Sequence, residues 1–514
     1  MSTIVQPSVI GKATVPPLPQ ADSCLLIIFG ASGDLTKRKL VPALYDLACA
    51  GCMAPDFEVL GVSRTQMTSD AFRTAMHESA MKAKDTRAFT DTCWGEFANR
   101  LHYMPGDIND RGFYSKLKQK LDEMTKNGSS ANYLFYVSTP ASLAGPIVEG
   151  LGSVHLNYRE KGWSRIVLEK PFGRDLASAR ELNCTVSKVF QEKDVYRIDH
   201  YLGKETVQNM LVFRFGNSIF EPVWNRNYIN YVEITAAEPL GVENRASFYE
   251  ETGALRDMMA NHLLQLLTLT AMEPPVAFDA DSVREQKVSV LRSIHPMTIE
   301  QVARRTVRGQ YGAGAINGQP VVGYRDEPGV DPQSLTETFA AVEFYVNNWR
   351  WAGVPFFIRT GKRLPRHVTE IRVHFKRTPQ ALFASTSDEQ IEHNVVTMRI
   401  QPDEGIAMRF AAKRPGTQMK TIPVQMDFLY REAFGADTPV AYETLLLDAM
   451  RGDATLFTRR DEVEAEWKII TPIEEAWAEL PAPGFPNYSS GSEGPAQSHL
   501  LISGDHRHWH TLMR

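Results

Sequence analysis

Residues 197–205 read Arg-Ile-Asp-His-Tyr-Leu-Gly-Lys-Glu, which sets the hydrogen-bond donors His200, Tyr201 and Lys204 within five positions, with Gly203 among them. A phosphate dianion offers several acceptor oxygens and needs convergent donors with net positive charge. The same spacing also fits a helix start with a solvated charged face. A second candidate is Gly30-Ala31-Ser32-Gly33-Asp34-Leu35, which follows the apolar run Cys24-Leu-Leu-Ile-Ile-Phe29. Glycines there let the backbone turn tightly, and the following helix start points free N–H groups at a pyrophosphate. The spacing departs from G-x-G-x-x-G, so the case rests on context: a buried strand before it and a helix after it. The next strand ends Gly61-Val62-Ser63-Arg64. An NAD site places a carboxylate at that tip for the ribose 2′-hydroxyl. An arginine there is a permanently charged fork for a 2′-phosphate, so NADP is expected over NAD.

The cysteines promise less. They lie at 24, 49, 52, 93 and 184, an odd number too sparse for a disulfide framework. Cys49-Ala-Gly-Cys52 lacks the second ligand pair that a zinc site needs, so no metal is expected and the motif reads as a helix end.

These residues need elements to hold them. The run 24–29 reads as a strand buried on both faces, hence part of a parallel sheet. Leu40, Leu44 and Leu47 then share one helix face closed by Gly51, and Pro42 makes that helix start late or kink. Strands over 57–62, 133–137 and 165–168 alternate with helices over 70–83, 111–126 and 175–190. That alternation predicts a Rossmann-type, doubly wound α/β domain over 21–200. Pro7, Pro16, Pro17 and Pro19 mark 1–20 as a disordered tail. Beyond 200 the rhythm changes to a strand over 228–236, a long helix over 252–272, and strands over 338–346, 355–359, 369–376, 394–401 and 406–412. Runs of strands predict a larger α+β domain over 201–514 with a mainly antiparallel sheet. The Pro-, Gly- and Ser-rich stretch 481–496 reads as irregular.

With 514 residues, 43% hydrophobic and 23% charged, the chain has material for two domains. A net charge of -5 argues against a nucleic-acid partner. No apolar run reaches the ~20 residues of a membrane span, and the N-terminus lacks the pattern of a secretory signal. A cytoplasmic enzyme is expected.

GASGDLTKRKL at 30–40, EKPFGRD at 169–175, RIDHYLGKE at 197–205, NHLLQ at 261–265 and VPFFIRTGKRL at 354–364, in that order, resemble the glucose-6-phosphate dehydrogenase family. The resemblance implies oxidation of D-glucose 6-phosphate at C1 to the 6-phosphogluconolactone with hydride transfer to NADP⁺. It places the general base at His262 and its orienting carboxylate at Asp199. His200, Tyr201 and Lys204 become phosphate ligands, Glu238 and Asp257 hold sugar hydroxyls, and Lys170, before a cis Pro171, touches both substrate and cofactor. Ser32 becomes a hydroxyl near the 2′-phosphate. Lys362 matches a substrate lysine in a basic stretch with Arg359, Arg363, Arg366 and Arg372. Where many members carry a second cation this chain has His367, beside Arg366. Arg359, Arg372 and Arg399 match a second, structural NADP site of some members, but the tail GDHRHWHTLMR differs, and that site is not expected. The resemblance also implies a homodimer or homotetramer built on the large sheet. Two other functions share part of this pattern. A related sugar oxidoreductase would not need the 200–204 donors, and a catalytically silent NADP-binding sensor would not need both Asp199 and His262.

Overall fold

The computed structural model describes residues 18–83, 89–126, 130–378, 393–435 and 439–513. The tail expected over 1–20 therefore falls mostly outside the described residues.

Strands β1 (Leu25–Phe29), β2 (Glu58–Ser63), β3 (Leu101–Pro105), β4 (Tyr133–Val137), β5 (Ser164–Glu169) and β6 (Val195–Ile198) form a parallel sheet in the order 3-2-1-4-5-6. That is the doubly wound dinucleotide-binding order. β1 and β4 are buried along their whole length, as their unbroken apolar runs require. The second sheet is built from β7 (Ile229–Ala237), β8 (Thr306–Gly309), β9 (Phe339–Tyr345), β10 (Pro355–Gly361), β11 (Val368–Phe375), β12 (Val395–Gln401), β13 (Gly405–Lys413) and β14 (Thr421–Leu429). Its order is β14-β13-β12-β11-β7-β10-β9-β8, antiparallel except where β10 runs parallel to β7. A last strand, β15 (Phe457–Thr458), returns to the first sheet and pairs antiparallel with β6.

Four readings of the sequence are corrected. The expected helix over 252–272 is broken: an α-helix ends at Ala254, a π-helix spans Leu255–Leu263, and an α-helix resumes over Leu264–Ala271. Gly253 makes the break, with φ +60, and the freed N–H groups of Ala254 and Leu255 donate to the backbone and side chain of Glu337. Cys49 is not a plain helix end, because it is disulfide-bonded to Cys93 and ties the helix Val41–Cys49 to the helix Asp91–Ala98. The basic stretch around Lys362 does not act as one patch. Arg359 donates to the His510 carbonyl and lies over Trp509, Arg363 pairs with Glu327, and Arg372 lies near Glu370. Pro42 falls in the first turn of the α-helix Val41–Cys49, which continues without a break from a helical start at Asp34 and a π-helix over Thr36–Leu40, so the helix does not start late and its hydrogen-bond pattern changes just before the proline.

Candidate active site

Most of the candidate residues follow the carboxyl ends of strands in both sheets, where open α/β sheets bind ligands, while Asp257 and His262 lie on the π-helix Leu255–Leu263 and His367 just before β11. At the end of β1, Gly30 has φ +83, and a Cβ there would stand 2.1 Å from the Ser138 carbonyl oxygen, so only glycine permits this approach. The Gly33 N–H donates to the Gly30 carbonyl at 2.8 Å, closing the turn that carries Ala31 and Ser32. Asp34, at the helix entry with Leu35, pairs with Arg38 at 2.8 Å. The Ser32 hydroxyl accepts from Ser63 at 2.9 Å and from Thr65 at 3.1 Å, across to the tip of β2. Arg64 is exposed between those two partners. A tight glycine turn, a ring of hydroxyls and a guanidinium with no carboxylate at the strand tip fit a dinucleotide with a 2′-phosphate. Nothing in the spacing of Thr65 marks it until the two loops meet.

Lys170 follows β5 and precedes a cis peptide to Pro171. Its ammonium donates to the Asp257 carbonyl at 2.9 Å and to the Asp257 carboxylate at 3.1 Å. It thus joins the nucleotide domain to the π-helix that carries both Asp257 and His262. Burial pushes the Asp257 carboxyl up, but Lys170 and Lys362 outweigh it and hold it at about 2.

Asp199 follows β6 and is buried, as is His262. Its Oδ1 accepts from the backbone N–H of Tyr201 at 2.9 Å and meets His262 Nδ1 at 2.5 Å. The carboxylate accepts the Nδ1 proton, which leaves Nε2 with the lone pair. Tyr201 stacks on the imidazole with ring centroids 4.3 Å apart, and His200 meets it edge-on at 4.6 Å. Burial pulls His262 below its ordinary value, with Asp199 opposing, so the ring is neutral near pH 7 and able to accept a proton. Burial and the neighbouring His262 pull His200 well down, so it is a neutral polar group there and not a cation. Asp199, His200 and His262 converge closely enough to resemble a metal-ligating set, but the Asp199–His262 bond already occupies one ligand atom of each.

Lys204 donates to the side-chain oxygen of Gln401, whose amide nitrogen lies 2.8 Å from His367 Nε2 and 3.1 Å from the Thr369 hydroxyl. Gln401 ends β12, 197 residues from Lys204, and brings His367 and Lys204 to one place. No sequence pattern marks it, because glutamine carries no charge and its partners are remote. Burial pulls Lys204 down to about 8, with Glu404 and Asp199 opposing. Its positive charge is therefore lost as pH rises through that value. The kcat/KM for a phosphorylated substrate should fall above about pH 8, and Lys204→Gln should lower it throughout and remove that alkaline limb. A pH series of kcat/KM for the two proteins checks this.

Glu238 follows β7 and Lys362 follows β10, and the parallel pairing of those strands sets the two side by side. Their ion pair measures 2.6 Å, and the Lys362 ammonium lies 5.1 Å from the centre of the Tyr249 ring. Burial raises the Glu238 carboxyl, but Lys362 overrides it and leaves it below the usual range. Glu238, Asp257, Lys170 and Lys362 thus form an alternating chain of two acids and two cations leading to His262, well suited to exchange partners with sugar hydroxyls.

Residues 27–209 match the family model for the glucose-6-phosphate dehydrogenase NAD-binding domain, and residues 211–510 match that for its C-terminal domain. The chain is 48% identical over 491 residues to a glucose-6-phosphate 1-dehydrogenase from Aggregatibacter actinomycetemcomitans, covering 95% of this chain and 98% of that one. It is 44% identical to one from Chlamydia pneumoniae, covering 100% of both. A solved glucose-6-phosphate dehydrogenase in complex with its substrate superposes with a TM-score of 0.85 at 35% identity, covering 96% of this chain and 100% of that one. Among the described residues, no helix is long and apolar enough to cross a membrane.

Proposed function

The chain belongs to the glucose-6-phosphate dehydrogenase family, an NADP-using group of oxidoreductases, and on that premise we propose how its residues oxidise glucose 6-phosphate. His262 Nε2 takes the C1 hydroxyl proton as the C1–H bond breaks, and the C1–O bond becomes the lactone carbonyl. Bound NADP⁺ supplies the acceptor for the hydride. Asp199 holds the imidazole by Nδ1 and stabilises the imidazolium that forms. Lys204, Tyr201 and His200 hold the phosphate, with His367 joined to them through Gln401. Glu238, Asp257, Lys170 and Lys362 orient the sugar hydroxyls. The single observation that supports this reading best is the buried 2.5 Å contact between Asp199 and His262 beside the phosphate donors. Incubating the pure protein with glucose 6-phosphate and NADP⁺ should produce NADPH absorbance, and free glucose should give far less. Equal rates with the two sugars would sink the phosphate assignment.

Gly30, Ala31, Ser32, Gly33, Asp34, Leu35 and Arg64, with Lys170, hold the dinucleotide in this reading. Arg64→Ala should raise the KM for NADP⁺ by roughly 10- to 100-fold, the scale of a lost charge-assisted pair of hydrogen bonds. The KM for NAD⁺ should change by less than about threefold. Parallel titrations with both cofactors decide the point, and equal losses would show that Arg64 does not read the 2′-phosphate.

We also infer that the large sheet carries a homodimer contact. Its outer strands β13 and β14 expose Met408, Ile422 and Met426, the last 63% accessible, which is apolar surface of the kind subunit contacts cover. Light scattering should give at least twice the chain mass, and Met426→Lys should reduce it; a monomeric wild-type protein would exclude the contact. Charged sugar phosphates and nucleotides do not cross membranes unaided, which favours the cytoplasm as the place of action.

A further inference from the structure

Beyond the ends of β7 and β10 the chain does not diverge. Glu238 N–H donates to the Gly361 carbonyl at 3.0 Å, Leu364 N–H to the Glu238 carbonyl at 3.0 Å, and Arg363 N–H to the Leu240 carbonyl at 3.2 Å. Arg363 adopts φ +54, a left-handed backbone that a residue with a Cβ keeps only where its surroundings hold it. Its backbone is fixed by the Leu240 carbonyl and by the Gly491 N–H, which donates to the Arg363 carbonyl at 2.7 Å, and its side chain is held by Glu327, 5% exposed. Glu327 Oε1 accepts from Arg363 Nη2 at 3.1 Å and from the Tyr311 hydroxyl at 2.7 Å, and Oε2 accepts from the Glu243 N–H at 2.8 Å. Tyr311 in turn accepts from the Val242 N–H at 3.3 Å. The cluster closes on Gly241, where a Cβ would stand 2.0 Å from Glu327 Oε1 and 2.8 Å from Arg363 Nε.

One buried carboxylate thus grips the segment that follows Glu238 and the segment that follows Lys362. We propose that Glu327, with Arg363 and Tyr311, is a positioning device that sets the spacing of Glu238 and Lys362 and so determines how tightly the sugar is held. The proposal rests on the reading of those two residues as sugar ligands. Glu327 touches neither substrate nor cofactor. It acts at the base of the two segments, and Glu327→Gln keeps its shape while removing the charge that holds Arg363.

Steady-state kinetics of Glu327→Gln, Glu238→Gln and the double variant test it. Glu327→Gln should raise the KM for glucose 6-phosphate about tenfold, with kcat and the KM for NADP⁺ within about twofold of wild type. In the double variant the KM should exceed that of Glu238→Gln by less than about threefold, because the two changes damage one contact set. A general structural role predicts instead that both KM values and kcat change together, and this result would overturn the proposal. So would an unchanged KM in Glu327→Gln when Glu238→Gln raises it. If Glu238→Gln leaves the KM unchanged, the ligand reading beneath the proposal is the part that fails. Should Glu327→Gln not fold, Tyr311→Phe removes two hydrogen bonds of the cluster, the one donated to Glu327 and the one accepted from the Val242 N–H. It should raise the KM for glucose 6-phosphate about threefold alone, and no change there counts against the proposal.

Discussion

His262→Asn should lower kcat by roughly 10³- to 10⁴-fold and leave the KM for glucose 6-phosphate within a few-fold of wild type. Asparagine is the right probe, since its amide can still donate to Asp199 and so avoids leaving a buried carboxylate unpaired. What it lacks is a basic nitrogen. Without one, the C1 hydroxyl must give its proton to water or to nothing as the hydride departs, which adds about 4–5.5 kcal/mol at 1.36 kcal/mol per decade. The KM is largely spared because the Tyr201 N–H still anchors the 200–204 segment to Asp199 and Lys204 keeps its bond to Gln401, although the ring stacked on Tyr201 is lost. Single-turnover measurement of NADPH formation with saturating sugar phosphate separates the two quantities.

Asp199→Asn should lower kcat by about 10²- to 10³-fold and move the acid limb of the rate profile to lower pH. The carboxylate meets His262 Nδ1 at 2.5 Å in a buried site, where an opposite charge is worth ~1–3 pKa units. It raises the His262 pKa against the lowering by burial. Neutralising it makes the imidazolium harder to form and the ring a weaker base. The ring then stays neutral to a lower pH. If the Asn amide also turns to donate to Nδ1, the ring proton moves to Nε2 and the loss grows. A limb that moved to higher pH would contradict the assigned role of Asp199. The ratio of kcat at matched pH between the two proteins reads the first effect, and the pH series reads the second.

The parts legible in the sequence are those written locally. The buried strand before Gly30, the absence of a carboxylate at Arg64 and the donors at 200–204 each lie within a dozen residues. The alternation of strand and helix over 25–198 also needs only local periodicity. What stayed hidden depends on distant pairings or on helix geometry. A π-helix over 255–263 has the same apolar residues as an α-helix, so the Leu-rich pattern read as one continuous element across Gly253. Glu238 and Lys362 are 124 residues apart and meet only because β7 and β10 pair in parallel. Gln401, Glu327 and Glu337 act by accepting or bridging between remote loops, where a lone Gln or Glu looks like any surface residue. β15 has two residues, too few to show a period, yet it returns the C-terminal half to the edge of the first sheet.

The central claim is that a buried, Asp199-oriented His262 is the group that removes the C1 proton. Its most direct test is the pH dependence of kcat/KM, which the groups of the free protein shape, in the wild type and in His262→Asn. The wild-type kcat/KM should fall on an acid limb with a midpoint below pH 6.5, as burial lowers the imidazole, and the residual kcat/KM of the variant should lack that limb. A variant that kept the limb at the same pH would show that the titrating base is another residue.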